Sequence, residues 1–206
     1  MAKCFKALAG AALLLACGLA SAQLPIGNGG ALFSGVNKAN PNPSQILDIY
    51  IGNAQALLNA NKDLLSAVGL SEPAARAGAE AQNLTPQSSR SQIENALKIQ
   101  ADSGQALTQK LAAGEALSAA GKLQFITGVT ALSHGLIASA GMSRDLVDIR
   151  KTLKGANGAA ISVLYLSKAL PGSVREVGQT LQAAVAYAKA NNLTLPPVAN
   201  EALAVL

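Results

Sequence analysis

Apolar residues recur at steps of three and four over a long stretch of the chain, and this spacing constrains the fold more than any other feature. The stretch begins at Ile46, ends at Val68 and includes Leu47, Tyr50, Ala54, Leu57, Leu58, Leu64 and Leu65. Residues spaced in this way share one face of an α-helix. About one residue in five is Ala, the strongest helix former, and only 3% are aromatic. The sequence therefore predicts an all-α bundle of about five to seven helices.

Length and composition bound the domain organisation. The 206 residues suit one domain, and a 50% hydrophobic content excludes a disordered chain. Two cysteines cannot support a disulfide-dense scaffold. We predict a signal peptide over residues 1–22, a flexible lead rich in Gly, Asn and Pro over 23–42, a helical bundle over 43–191 and a flexible tail over 192–206.

The N-terminal residues have the three parts of a secretory signal peptide. Lys3 and Lys6 form a positive start, residues 7–20 carry no charge, and the A-x-A site Ala20-Ser21-Ala22 precedes Gln23. The apolar part is too short for a membrane span. The pattern predicts cleavage before Gln23 and export to the periplasm or the medium.

A second interpretation of the same segment involves lipidation. The run Leu14-Leu15-Ala16-Cys17 resembles the lipobox of bacterial lipoproteins. The resemblance implies a mature protein that begins at a lipidated Cys17 and is anchored to a membrane. Cleavage before Gln23 would instead remove both Cys4 and Cys17, so that the mature chain would contain no thiol. Both interpretations place the protein in the cell envelope or outside the cell.

Local capping signals predict where the first two helices begin and end. Asn42 is suited to the N-cap and Pro43 to the first turn of a helix that Gly69 ends. A short Ala-rich helix then runs over residues 71–83. A third helix begins at Thr85-Pro86 or at the capping box of residues 91–94. It runs unbroken toward residue 140 or breaks near residue 104.

Similar signals divide the second half of the bundle. Ser143 is suited to the N-cap of a charged helix over residues 144–154. Pro171 and Gly172 are expected to end a buried apolar helix that starts near residue 159, because proline disrupts a helix interior. Residues 173–176 then form a capping box for the last helix, which ends at Asn191.

Four glycines spaced by seven residues form the most unusual pattern of the chain: Gly114, Gly121, Gly128 and Gly135. A glycine inside a helix costs about 1 kcal/mol relative to alanine. A seven-residue period keeps residues on one helix face, so the four glycines predict a groove for close packing. Three interpretations of the groove are open. It holds another helix of the bundle, it binds a partner or a second copy, or it belongs to a helix that inserts into a membrane.

Two weakly charged segments give the membrane interpretation a physical basis. Residues 123–142 contain no formal charge over the length of a membrane span, and residues 159–167 are also uncharged. Together they could form an apolar hairpin. The polar side chains of residues 123–142, which include Gln124 and His134, make the first segment only weakly apolar.

The sequence lacks the motifs of common catalytic and binding sites. His134 is the only histidine, and no pattern of metal ligands, phosphate-binding loop or nucleophile elbow is present. We therefore predict no catalytic residue, no metal and no cofactor. The absence of a basic cluster with interleaved aromatics argues against nucleic acid as a partner.

These patterns favour one function over two alternatives. We expect a non-catalytic envelope protein that acts through helix surfaces, by binding another protein or by oligomerising. The first alternative is a lipid-binding or membrane-inserting protein that uses residues 123–142 and 159–167. The second is an envelope enzyme without a recognisable motif.

Overall fold

The chain forms a bundle of α-helices in a computed structural model that describes residues 36–37, 39–153 and 157–206. Within these ranges there are six helices and no strand: α1 Pro43–Ala67, α2 Ser71–Asn83, α3 Arg90–Ala112, α4 Ala119–Thr152, α5 Gly158–Ala190 and α6 Val198–Leu203. The predicted all-α class is confirmed. The predicted signal peptide, its cleavage site, Cys17 and residues 23–35 of the lead lie outside the described residues.

Helices α1 and α2 begin and end where the capping signals predicted. The Asn42 side chain accepts hydrogen bonds from the backbone N–H groups of Ser44 and Gln45, at 3.0 and 3.5 Å. Gly69 follows the helix with a φ of +80°, in the left-handed region that favours glycine. Helix α2 has the predicted bounds, Ser71–Asn83.

Helix α3 begins at neither of the two predicted positions. Its capping box is formed by Ser89 and Gln92: the Ser89 N–H donates to Gln92 Oε1 at 2.8 Å, and the Gln92 N–H donates to Ser89 Oγ at 3.4 Å. The helix passes through Gly104 and ends at Ala112. Gly114 follows with a φ of +69°. The connection to α4 therefore begins well before residue 140.

Helix α4 is longer than predicted, because it does not end before Ser143. The predicted N-cap at Ser143 is wrong: Ser143 lies within a helix of 34 residues. Met142, Leu146 and Ile149 are all buried and continue the apolar stripe of the helix past this point. Burial of one such side chain stabilises by about 1.5–3 kcal/mol, more than a typical N-cap.

Helix α5 also passes through two predicted stops. Pro171 and Gly172 lie inside the helix, and Ser173 is not an N-cap. A proline inside a helix costs about 3 kcal/mol. Leu170 before it and Val177 after it are both buried on the same side, so the core holds the two halves together. Asn191 is the C-cap, as predicted.

The C-terminal segment is part of the bundle, which contradicts the prediction of a flexible tail. After Asn192, whose φ is +54°, the chain turns back and forms α6 against α4 and α5. Ala199 and Ala202 of this helix are 1% and 0% exposed. Small side chains let α6 approach the bundle closely.

The core consists of two apolar clusters along the bundle, and α1 contributes to both. One cluster contains Leu64, Leu107, Phe125, Leu132, Leu181 and Ala202, and the other contains Ile46, Leu58, Ile93, Met142, Leu146 and Leu166. Helix α4 is the only one in the described ranges that is long and apolar enough to cross a membrane, and 61% of its most apolar window is buried in the bundle.

Candidate functional site

Three of the four glycines in the predicted row lie on α4 and face α1. A Cβ built on Gly121 would stand 2.9 Å from the backbone oxygen of Ala67, and one built on Gly128 would stand 2.7 Å from Leu64 Cγ. A Cβ on Gly135 would overlap the Leu57 side chain. The prediction for the fourth glycine is wrong. Gly114 follows α3 with a left-handed φ, and a Cβ there would meet no atom within 4 Å.

A polar contact accompanies this close packing of α1 and α4. The side-chain amide of Asn53 donates to Ser139 Oγ at 2.7 Å and to the backbone oxygen of Gly135 at 3.4 Å. All three residues are buried. Because the helices approach closely at the glycines, a short side chain on α1 reaches the backbone of α4. The glycine row is thus internal to the bundle along 121–135.

A second buried polar contact joins α1, α3 and α5. Gln100 Nε2 donates to Ser173 Oγ at 3.1 Å, and Asn61 Nδ2 donates to the backbone oxygen of Gln100 at 3.3 Å. Asn61 Oδ1 is the one buried side-chain polar atom without a partner among the described residues. The Ser173 hydroxyl therefore serves a contact between helices.

The single histidine, His134, and its neighbour Ser133 do not form a reactive pair in the structure. Ser133 Oγ donates to the backbone oxygen of Val129 at 2.7 Å, within its own helix. His134 is half-buried on the adjacent side of α4. Over the described parts of the chain, no three His, Cys, Asp or Glu side chains are close enough together to hold a metal ion.

The outer side of α4 and α5 carries an apolar surface that the bundle does not use. Val147, Ile161 and Leu164 are 49%, 45% and 36% exposed. Helix α5 begins at Gly158, six positions after α4 ends at Thr152, and the two helices are in contact, so α4 and α5 are antiparallel neighbours. We call this surface the outer face and define it by Arg144, Val147, Lys151, Ile161, Leu164, Lys168 and Arg175.

Helical spacing and one cleft place these residues on the same side. Val147 and Lys151 follow Arg144 by three and seven residues, and the α5 residues Ile161, Leu164, Lys168 and Arg175 are also spaced by three, four and seven. Arg144 and Arg175, one from each stripe, line a single cleft of about 450 Å³. The two stripes therefore adjoin.

The cleft lies where α4, α5 and the C-terminal segment meet. Apart from the two arginines, its walls include Gln179 and Gln182 on α5 and the apolar side chains of Val174 and Leu206. Leu206 reaches it by packing over Gly178, where a Cβ would stand 2.5 Å from Leu206 Cδ1. The predicted tail therefore forms one wall of the cleft.

No family model, curated protein or solved structure matches this chain.

Sequence reasoning assigned the outer-face residues to other roles. Arg175 belongs to the capping box predicted at residues 173–176, and Arg144 to a helix predicted to start after Ser143. One signal could have found them: apolar and cationic residues alternate at helical spacing over 161–175, with no acidic residue between Ile161 and Arg175. That signal is visible only if α5 is taken as continuous through Pro171.

Proposed function

We propose that this protein is an exported, non-catalytic helical bundle that binds a protein surface, of another envelope protein or of a second copy, through the outer face. Export rests on the signal peptide predicted over residues 1–22. The binding role rests on one observation: Val147, Ile161 and Leu164 expose apolar surface on a pair of helices whose other sides fill the core.

The character of the outer face supports a protein partner. Protein interfaces combine an apolar centre with a polar rim, and exposed apolar patches on folded proteins often mark such sites. Here three apolar side chains are accompanied by four cationic ones. A partner that covers the three apolar side chains would remove their surface from water, which stabilises the complex by about 25 cal/mol per Å² of apolar area.

The position of residues 123–142 favours protein binding over membrane insertion. Leu132 and Leu136 of this segment are fully buried and belong to the core cluster that also contains Leu64. Insertion would require α4 to leave that cluster and lose its contacts with α1.

Site-specific photo-cross-linking in cells tests the proposal. A photoreactive amino acid at Ile161 or Leu164 should give one shared protein adduct, which mass spectrometry identifies. The matched control is Leu123, a leucine that is 72% exposed near the start of α4, away from the outer face. We expect no such adduct there. The purified partner should then bind the wild type, and Ile161→Asp should weaken that binding at least tenfold.

Two further measurements define the occupant. A change of sedimentation coefficient with concentration, abolished by Ile161→Asp, would identify a second copy as the partner. Flotation of the wild-type protein with liposomes, together with no adduct at Ile161 or Leu164, would contradict protein binding and favour the lipid alternative.

The intact mass of the protein from the envelope fraction tests export. A first residue of Gln23 or a lipidated Cys17 would support export, and an unprocessed Met1 would contradict it.

A further inference from the structure

We propose that the cleft between Arg144 and Arg175 is an anion-binding subsite of the outer face and receives a carboxylate side chain from an extended segment of another protein. This inference rests on the proposed function, since it names what the bound protein presents.

Among the described residues, the two arginines are the cationic side chains that line the cleft, and neither forms an ion pair within 4.0 Å. The ion pairs of the described chain are local: Arg76 with Glu72, Arg90 with Glu94, Lys98 with Asp102, Lys110 with Glu115, and Lys151 with Asp148. Arg144 and Arg175 form none of them. No described Asp or Glu side chain lines the cleft.

The sequence around each arginine explains why it has no ion pair. Side chains on a helix pair at spacings of three and four residues. Around Arg175 these positions hold proline, two glycines and glutamine, at residues 171, 172, 178 and 179. Arg144 has one acidic residue at such a spacing, Asp148, and the Asp148 carboxylate accepts a hydrogen bond from Lys151 Nζ at 3.0 Å. Both guanidinium groups thus remain available to an external anion.

The other walls of the cleft indicate a peptide carboxylate. A guanidinium group matches a carboxylate with two parallel hydrogen bonds. The side-chain amides of Gln179 and Gln182 can donate to and accept from a peptide backbone, and Val174 and Leu206 offer an apolar wall for a neighbouring side chain. A volume of about 450 Å³ lies within the usual range for binding pockets and suits a few residues.

The test measures by fluorescence anisotropy how tightly two synthetic peptides bind to the protein as purified from the envelope fraction. One peptide has the sequence Ala-Leu-Glu-Leu-Glu-Ala with blocked ends, and in the other both Glu are replaced by Gln. We expect the Glu peptide to bind at least tenfold more tightly. Arg144→Gln and Arg175→Gln should each weaken its binding about tenfold, because each removes a charge-assisted hydrogen bond. Arg144→Lys and Arg175→Lys should each retain part of the affinity, because lysine keeps the charge without the two-pronged geometry.

Arg150→Gln is the matched control, since Arg150 is an exposed arginine of α4 that does not line the cleft. We expect it to leave the affinity for the Glu peptide unchanged. Equal binding of the two peptides, or an equal loss in Arg150→Gln, would overturn the proposal. Binding to phosphatidylglycerol vesicles that is lost in Arg144→Gln and Arg175→Gln would assign the cleft to lipid phosphate and overturn it as well.

The outcomes for the cleft and for the outer face are separable. Adducts at Ile161 without binding of the Glu peptide would leave the proposed function standing and refute the carboxylate subsite. Circular dichroism melts of Arg144→Gln and Arg175→Gln identify any loss of folding. Both residues are exposed, so we expect melting temperatures within about 2 °C of the wild type.

Discussion

The backbone oxygen of Ala67, at the end of α1, lies 2.9 Å from the point where a Cβ on Gly121 of α4 would stand. A real Cβ atom almost never approaches another heavy atom so closely. The contact is therefore available only to glycine, and it sets the distance between the two helices at this end of the bundle. At Gly128 and Gly135 the nearest atoms belong instead to the side chains of Leu64 and Leu57 on α1.

We expect Gly121→Ala and Gly128→Ala to lower the free energy of unfolding by about 1–3 kcal/mol, because the added methyl must displace α1. The effect opposes the gain of up to about 1 kcal/mol that alanine brings to a helix interior. Gly121→Leu and Gly128→Leu should lower the melting temperature further than the alanine variants do. Thermal and urea unfolding measure both effects.

Gly52→Ala is the matched control for the glycine row. Gly52 lies inside α1, and a Cβ there would meet no atom within 4 Å. We expect this variant to raise the free energy of unfolding by up to about 1 kcal/mol. If Gly121→Ala and Gly128→Ala also raised the stability, the close packing of α1 and α4 would be refuted.

Gly104 and Thr180 make a second contact that a double-mutant cycle can test. A Cβ on Gly104 of α3 would overlap Thr180 Oγ1, which donates to the backbone oxygen of Glu176 at 3.0 Å on α5. We expect Gly104→Ala to destabilise by about 1–3 kcal/mol. Thr180→Ala should relieve part of that loss, giving a coupling energy of about 1 kcal/mol, whereas Thr180→Val should not. Additive effects in the pair with Ala would contradict the contact.

Helix α6 should behave as part of the core. Ala202→Glu would bury a charge in a fully covered position, and we expect a loss of about 3 kcal/mol or more in the free energy of unfolding. Asn200→Glu is the control, because Asn200 is exposed on the same helix, and it should change stability by less than about 0.5 kcal/mol. If both substitutions had equally small effects, the packing of α6 would be refuted and the prediction of a flexible tail supported.

Stability at alkaline pH should depend on Tyr50. Burial, and secondarily the neighbouring Tyr165, raise the pKa of Tyr50 above its ordinary value. The folded state therefore keeps the phenol neutral while the unfolded chain ionises from about pH 10. The contribution of Tyr50 is complete below that pH and is lost as the pH rises, with a slope of up to about 1.4 kcal/mol per pH unit.

The measurement for Tyr50 is urea unfolding between pH 8 and pH 11. Tyr50→Phe should show a smaller loss of stability than the wild type over the alkaline part of this range, because it removes the ionisable group and retains the ring. Identical pH profiles of the two proteins would contradict the raised pKa.

Local sequence signals are sufficient to predict the helical class and the bounds of the first two helices. Asn42, Pro43 and Gly69 act on backbone groups within a few residues of themselves, so α1 could be placed without knowledge of the rest of the chain. The same holds for α2 and for the end of α5 near Asn191. The glycine spacing also indicated close packing on one helix face, since a seven-residue period depends only on helix geometry.

Core packing overrides local capping signals at the helix boundaries where the two disagree. Ser143 and Ser173 were predicted to start helices and Pro171 to end one, but all three lie inside helices. The helices continue through these positions because the neighbouring side chains of Leu146, Leu170 and Val177 are buried. A cap contributes about 1 kcal/mol, whereas several buried side chains contribute more together. The sequence alone could not reveal that sum, because it depends on which helices become neighbours.

The outer face and its cleft depend on the same contacts between distant segments. Arg144 and Arg175 are 31 positions apart in the sequence and share a cleft only because α4 and α5 are both continuous and antiparallel. Leu206 completes the wall because Gly178 leaves space for it. Side-chain type and spacing are local properties, whereas the meeting of two stripes is fixed by the burial of their opposite sides.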